Sequence, residues 1–184
     1  GLGKTLIAMM LAAQRLMQYP GTKILVLAPT KPLVEQHHKS FSAHFVPEAG
    51  SHHVFTGDVS PEKRAQIWKE TTFVYATPQS LENDILSNRI RFEEVSLVIF
   101  DEAHHAVGDY AYVYLSKRYD ETSRYPRALG LTASPGANVE HIIEVCKNLK
   151  IKEIEVRSTD DADVAPYLQD TDIKWVHVEL TPEM

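Results

Sequence analysis

Three short segments of the chain combine residue types that can act on phosphate groups. GLGKT opens the sequence at residues 1–5, DEAH lies at residues 101–104, and LTAS lies at residues 131–134. Together they offer glycine amides and a lysine for an anion, and carboxylates and hydroxyls for a hard cation. Each segment alone also has an ordinary structural explanation, so their order and placement decide whether they form one site.

The GLGKT segment matches the second half of a phosphate-binding loop, whose full pattern is G-x-x-x-x-G-K-[ST]. Gly1, Leu2 and Gly3 would present backbone amides to phosphate oxygens, and the helix that follows would add its N-terminal dipole. Lys4 would reach the β- and γ-phosphates, and Thr5 would ligate Mg²⁺. The alternative is a glycine-rich start to a helix. If the loop is real, we expect its first half and the strand that leads into it to precede Gly1.

The DEAH and LTAS segments each follow a run of apolar residues. Leu97–Phe100 would deliver Asp101 to a strand end, where its carboxylate can hold Mg²⁺, and Glu102 can orient or deprotonate an attacking water. Thr132 and Ser134 follow a second apolar run and can hydrogen-bond the DEAH segment and sense the γ-phosphate. The alternatives are a solvated turn or helix cap for the two acids, and a Ser-Pro-Gly turn after the second run.

The elements that must position these segments alternate regularly between β and α. Predicted strands are residues 23–29, 52–57, 71–78, 96–103 and 127–134, and predicted helices are residues 6–18, 31–45, 60–70, 78–87, 109–119 and 138–150. This alternation predicts an α/β domain with a mostly parallel sheet and helices on both faces. In such sheets ligands bind at the carboxyl ends of the strands, so the three segments should meet at one edge.

Composition limits the function further. The 184 residues are 43% hydrophobic with a formal net charge of −6, which argues against a strongly basic surface and requires any nucleic-acid contact to be local. The single cysteine indicates a reducing, intracellular setting, and no apolar run is long enough to span a membrane. The nine histidines lack metal-ligand spacing, so no zinc site is expected. Residues 1–150 are predicted to form the domain. Residues 151–184, with β-like runs at 153–158 and 173–180, are predicted to form an extension that leaves it.

In their order, GKT, DEAH and TAS resemble motifs I, II and III of superfamily 2 helicases. The segments APTKPLVEQ at 28–36, TGD at 56–58 and TPQSLEN at 77–83 resemble the loops that grip a nucleic-acid backbone in that superfamily. The resemblance implies a RecA-like P-loop NTPase domain that uses ATP and Mg²⁺, with Glu102, Asp101 and Lys4 in catalysis. Nucleic-acid contacts would come from Pro29, Thr30, Lys31, Thr56, Gly57, Thr77, Pro78 and Gln79. Threonine hydroxyls and free helix amides suit phosphate but carry no base code.

A closer resemblance spans nearly the whole chain. Segments such as TGDVSPEKRAQIW and DEAHHAVGDYAYVYLSKRY resemble archaeal Hef helicases, which are related to the Fanconi anaemia M protein. That family implies ATP-driven remodelling of branched DNA in the cytoplasm, at the nucleoid of an archaeal cell. It also implies a second RecA-like domain in cis, which supplies arginine fingers, and a helical insert to which residues 151–184 lead. His104, with Thr132 and Ser134, would couple hydrolysis to that second domain.

Two alternatives remain open at the level of sequence. One is an RNA-directed ATPase of the neighbouring branch of Dicer and RIG-I-like helicases, and the other is a non-catalytic scaffold. Intact Lys4, Asp101 and Glu102 argue against the scaffold. Because the arginine fingers belong to another domain, we expect little hydrolysis from these 184 residues alone. Because the first half of the phosphate-binding loop would precede Gly1, we also expect weak ATP binding.

Overall fold

The alternation of helices and strands in the computed structural model follows the sequence closely. The structure describes residues 3–134, 136, 138–157 and 161. Its strands are β1 Lys23–Leu27, β2 His52–Phe55, β3 Phe73–Ala76, β4 Val95–Asp101 and β5 Ala128–Leu131. Its helices are α1 Lys4–Gln18, α2 Lys31–His44, α3 Pro61–Trp68, α4 Pro78–Leu86, α5 Ala111–Thr122 and α6 Val139–Asn148. Short 3₁₀ turns cover Pro47–Ala49 and Ala103–His105.

All five predicted strands and all six predicted helices are confirmed, with small changes at their ends. Helix α1 begins at Lys4, two residues before the predicted start, because Gly3 adopts a left-handed conformation (φ 78°) and caps it. Helix α3 begins as predicted, with Ser60 accepting a hydrogen bond from the Lys63 amide at 3.3 Å.

The β-like run predicted at 153–158 is wrong over the residues that the structure describes. Residues 153–157 are not in a strand, and the side chains of Ile154 and Val156 are exposed rather than packed on a sheet. Ser158 and the second β-like run, 173–180, lie outside the described residues.

The chain divides into two compact units. One is Gly3–Ile154, which contains every described helix and strand. The other is Gly1–Leu2 with Glu155–Met184, of which the structure describes residues 155–157 and 161. Within that second unit Arg157 pairs with Glu155.

The five strands form one sheet in the order β2-β3-β1-β4-β5, and every pairing is parallel. Leu25 at the centre of β1 lies between Val74 of β3 and Val98 of β4, and Phe100 of β4 faces Gly130 of β5. A parallel sheet aligns the carboxyl ends of all its strands at one edge. The order also leaves β2 and β5 at the two sides of the sheet.

Helices cover both faces of the sheet, as the sequence predicts. Helices α1 and α2 pack on one face, against alternate strand residues such as Ile24 and Val26. Helices α3 to α6 pack on the other face, against Leu25 and Leu27. Burial on both faces accounts for the continuously apolar strand sequences. Trp68 of α3 packs within this second layer. None of the described helices is long and apolar enough to cross a membrane.

Candidate functional site

The start of α1 and the end of β4 lie at the same edge of the sheet. Helix α1 ends at Gln18, and the chain enters β1 at Lys23, whose amide donates to the Glu94 carbonyl just before β4. The C-terminal end of α1 is therefore at the amino edge of the sheet. Its fifteen residues run back for about 22 Å, which brings Lys4 and Thr5 toward the carboxyl edge where Asp101 ends β4.

Asp101 is the most enclosed carboxylate of this edge. Strand β4 is buried along its whole length, and Asp101 is 9% exposed. Its Oδ2 lies 2.7 Å from Nε2 of His37, which is buried on α2. A buried carboxylate needs such a partner because leaving it without a hydrogen bond would cost several kcal/mol. The contact fixes the orientation of the Asp101 side chain at the point where the sequence predicts a metal ligand.

Tyr112 of α5 ties together the ends of β1 and β4. Its hydroxyl carries one proton, which lies within hydrogen-bond reach of both the Asp101 carbonyl at 2.7 Å and the Leu27 carbonyl at 3.1 Å, and the shorter contact is the stronger one. Burial raises the pKa of Tyr112 well above its usual value, so the hydroxyl remains a donor. Tyr112 is thus a residue of the core.

Glu102 adopts a left-handed conformation directly after the strand, with φ 48° and ψ 50°. Such a conformation is uncommon for a residue other than glycine and is typical of functional turns. Its Oε2 lies 3.3 Å from Nδ1 of His104. The Glu102 side chain is 33% exposed, against 12% for the Asp101 side chain, so the second acid of the DEAH segment is the more open to water.

His104 connects the DEAH turn to the segment after β5. Its Nδ1 lies 2.9 Å from Oγ1 of Thr132, which also accepts a hydrogen bond from the Ser134 amide at 3.1 Å. Two acceptors, the Glu102 carboxylate and the Thr132 hydroxyl, face Nδ1, so the tautomer with a proton on Nδ1 is favoured. Thr132 thereby makes the hydrogen bond to DEAH that the sequence predicts, and Ser134 joins it through its backbone.

The donor set at this edge suits Mg²⁺. The Thr5 hydroxyl and the Asp101 carboxylate are hard oxygen ligands, and Mg²⁺ commonly takes one or two such protein ligands, completing its shell with water and substrate phosphates. Among the described residues no group of three or more His, Cys, Asp and Glu side chains is placed to hold a metal.

The loops after β1 and β3 each lead into a helix at the same edge. Thr30 and Lys31 are exposed at the start of α2, and Pro29 before them is half-buried. Thr77 precedes α4 and its hydroxyl lies 2.9 Å from Ser80 Oγ. Pro78 is buried in the first turn of α4, whereas Gln79 is exposed. The first amides of both helices have no partner within their helix, as an anion site requires.

The loop after β2 differs from this pattern. Thr56 is 4% exposed, so its hydroxyl is not a surface group, while Gly57 is exposed. The carbonyls of Thr56 and Val59 both accept hydrogen bonds from Nη1 of Arg64, which holds the loop against α3. In this loop it is therefore the Gly57 backbone, rather than the Thr56 side chain, that faces solvent.

Comparison with known proteins places this arrangement in a family. The family model of DEAD/DEAH box helicases matches residues 1–142. The chain belongs to the DEAD/DEAH box helicases. The crystal structure of the Pyrococcus furiosus Hef helicase domain resembles this helicase chain with a TM-score of 0.87 and 50% identity, over 98% of this chain and 38% of that one. The RecA-like fold and the resemblance to Hef are thereby confirmed.

Two curated relatives match the helicase chain from end to end. One is the putative ATP-dependent RNA helicase MJ1505 of Methanocaldococcus jannaschii, 41% identical over all of this chain and 23% of its own length. The other is the ATP-dependent DNA helicase mph1 of Sclerotinia sclerotiorum, 38% identical over all of this chain and 15% of its own length. The chain spans less than a quarter of the length of either relative.

Three polar pairings in this helicase domain were not predicted from sequence. They are His37 with Asp101, Arg64 with Asp84, and Lys31 with Asp58. The sequence does contain a signal that His37 is buried. His37 follows Val34 by three residues and precedes Phe41 by four, so all three lie on one face of α2, which is the buried one. The other two join residues 20 and 27 positions apart, and no local pattern indicates them.

Proposed function

We propose that this chain is the ATP-binding motor domain of a DNA helicase that hydrolyses ATP with Mg²⁺ and acts on branched DNA. One observation carries the proposal. Asp101 and Glu102 end a fully buried strand at the sheet edge where α1 begins with Lys4, and His104 joins that same turn to Thr132. Parallel strands with acids at this edge and a GKT helix opposite them are suited to phosphoryl transfer.

Each residue at the edge has a distinct role in that reaction. The amides of Gly1, Leu2 and Gly3 cradle phosphate oxygens, although Gly1 and Leu2 lie outside the described residues. Lys4 pairs with the β- and γ-phosphates as a point charge. When bound, Mg²⁺ neutralises charge on the phosphates, and Thr5 and Asp101 hold it in place. His37 keeps the Asp101 carboxylate oriented for that contact.

Glu102 is the residue that acts on water. Its left-handed backbone directs the carboxylate away from the buried strand, where it can accept a proton from an attacking water or orient it. His104, Thr132 and Ser134 form a hydrogen-bonded bridge beside it. We propose that this bridge relays the state of the phosphates to a second RecA-like domain in cis, which supplies the arginine fingers. Hydrolysis by residues 1–184 alone should therefore be weak.

The nucleic-acid surface is proposed at the loops after β1, β2 and β3. Of the residues predicted from the sequence, contacts would come from Pro29, Thr30, Lys31, Gly57, Thr77 and Gln79. The burial of Thr56 and Pro78 limits those two residues to holding the loop or helix start in place. Backbone contacts of this kind do not depend on sequence, which suits a motor that moves along DNA. We place the protein inside an archaeal cell, at its nucleoid. Residues 1–150 form the motor domain, and residues 151–184 lead toward a helical insert.

The test of the ATPase proposal uses Glu102→Gln in the protein that carries this chain. ATP binding should persist, while hydrolysis stimulated by forked DNA should fall by about a hundredfold or more, since the water loses its base. Glu70→Gln is the matched control, because Glu70 is exposed and precedes β3 at the opposite edge of the sheet. Unchanged hydrolysis in Glu102→Gln would remove the role assigned to Glu102. Absence of hydrolysis in the unmodified protein would favour a scaffold.

The nature of the substrate is tested separately. ATP hydrolysis and strand separation would be compared on forked DNA, duplex RNA and single strands of each, because the 2′-hydroxyl is the chemical difference between DNA and RNA. Forked DNA should stimulate the protein most strongly. Stronger stimulation by duplex RNA would assign the protein to RNA and overturn the DNA proposal.

A further inference from the structure

The exposed ammonium of Lys31 already forms an ion pair with a carboxylate of the same chain. Lys31 lies in the first turn of α2, and its Nζ forms an ion pair with Oδ2 of Asp58, in the loop after β2. A second carboxylate, Oε1 of Glu35, lies 3.8 Å away. The side chains of Lys31 and Asp58 are 51% and 66% exposed. The pair is therefore open to solvent and can separate without disturbing the core.

The position of this ion pair gives it a functional consequence. Strand β3 lies between β1 and β2 in the sheet, so the pair joins two loops on either side of the β3 end, which carries Thr77. These are the loops proposed to contact a nucleic-acid backbone. Two carboxylates around one ammonium also leave the spot with a formal charge of −1, which repels phosphate until a carboxylate moves away.

We infer that Asp58 is an internal competitor of the nucleic-acid backbone, whose carboxylate occupies the place of a phosphate oxygen on Lys31. This inference rests on the proposed function, because it assumes that Lys31 contacts nucleic acid. Binding exchanges one partner of Lys31 for another instead of creating a new ion pair. Asp58 thus lowers affinity for the backbone and sets how strongly this loop holds on to DNA.

The exchange predicts a specific dependence on salt. A free lysine that binds phosphate releases a counterion from the nucleic acid, which steepens the fall of affinity with salt. When Asp58 leaves Lys31, its carboxylate is exposed to solvent and attracts a cation. The uptake of that cation offsets part of the counterion release from the nucleic acid. Asp58→Asn should therefore tighten binding by about two- to fivefold, since an exposed ion pair is weak. It should also steepen the slope of log affinity against log salt by up to about 0.9.

A double-mutant cycle in the protein that carries this chain tests the inference. Binding of a fluorescent DNA fork would be measured from about 50 to about 200 mM salt for the unmodified protein, Asp58→Asn, Lys31→Met and the double variant. Asp58→Asn should tighten binding when Lys31 is present and have little effect in the Lys31→Met background. Asp120→Asn is the matched control for charge, because Asp120 is exposed near the end of α5, toward the opposite edge of the sheet.

The outcomes separate this inference from the function beneath it. If Asp58→Asn tightens binding equally in both backgrounds, Asp58 acts only by general repulsion and the competition is refuted. If Lys31→Met weakens binding but Asp58→Asn changes nothing, the competition is again refuted while the nucleic-acid contact stands. If Lys31→Met has no effect on a fork that the protein does bind, Lys31 is not a contact, and both the contact and the competition fail.

Discussion

Removal of the Asp84 charge should loosen α3, α4 and the loop after β2. Arg64 of α3 and Asp84 of α4 are 4% and 0% exposed. They form a two-pronged contact, with Arg64 Nε 2.5 Å from Oδ2 of Asp84 and Nη2 2.9 Å from Oδ1. The remaining nitrogen, Nη1, donates to the Thr56 carbonyl at 3.2 Å and to the Val59 carbonyl. One guanidinium therefore holds α3, α4 and the loop after β2 together.

The size of the effect follows from the burial of both charges. When one partner of a buried ion pair is removed, the other charge is left without compensation, which typically destabilises by about 3–5 kcal/mol. Asp84→Asn keeps the shape and can still accept one hydrogen bond, so about 3 kcal/mol is the expected loss. The exposed pair of Arg89 with Glu62, 3.9 Å apart in the same region, should contribute less than about 1 kcal/mol.

Hydrogen exchange measured by mass spectrometry gives the local free energy directly, even in a larger protein. In Asp84→Asn, amides of α3, α4 and residues 56–59 should exchange about a hundredfold faster, which corresponds to about 3 kcal/mol. Glu62→Gln should leave them nearly unchanged. DNA affinity should fall in Asp84→Asn while ATP affinity is retained, because Arg64 and Asp84 hold the loop after β2, whereas Asp101 ends β4 on the far side of β1. Equal exchange in the two variants would refute the reasoning about burial.

Three further predictions concern the packing around the site. Tyr112→Phe removes the donor to the Asp101 carbonyl and should lower stability by about 0.5–1.5 kcal/mol in thermal unfolding; no loss would mean that the hydroxyl is replaceable there. Burial lowers the pKa of His52 to about 4, so the unfolded chain takes up its proton first and stability should fall as pH drops from about 6.5 to about 4. The half-buried ring limits that loss to about 1–2 kcal/mol, and His52→Phe should abolish it in urea titrations at each pH. Gly50→Ala should destabilise by about 2 kcal/mol or more in urea, because Gly50 has φ 126° and a Cβ there would lie 2.1 Å from Thr72 Oγ1; adding Thr72→Ala should restore little of that loss, because the Thr72 Cβ would still lie 2.4 Å from the new methyl group.

The sequence predicts the sheet edge well because the signals for it are local. An apolar run that stops at a polar motif marks both a buried strand and its carboxyl end, as β4 does before Asp101. A proline or serine at a helix start marks the other boundary, as Ser60 does for α3. At residues 153–157 the β-like pattern is also local, but these residues do not form a strand, so the prediction failed there.

The side-chain pairings at the edge could not be predicted in the same way. Arg64 and Asp84 sit on separate helices and meet only because β3 places those helices side by side. Lys31 looks like a free cation in the sequence, and only the fold brings Asp58 to it. The burial of Thr56 also depends on the fold. The loop has a polar composition typical of exposed loops, but Arg64 hydrogen-bonds the Thr56 carbonyl and holds the loop against α3.

Helix α2 gives the two halves of the site a physical connection. Its first turn carries Lys31, at the proposed nucleic-acid surface, and six residues later it presents His37 to the Asp101 carboxylate at 2.7 Å. Six residues of helix span about 9 Å and behave as one stiff element. If a backbone phosphate displaces Asp58 from Lys31, as we propose, it would therefore act on the same helix that orients the carboxylate of the DEAH segment. Packing of Val34 and Phe41 into the core keeps such a shift small, but a contact of 2.7 Å is sensitive to small shifts.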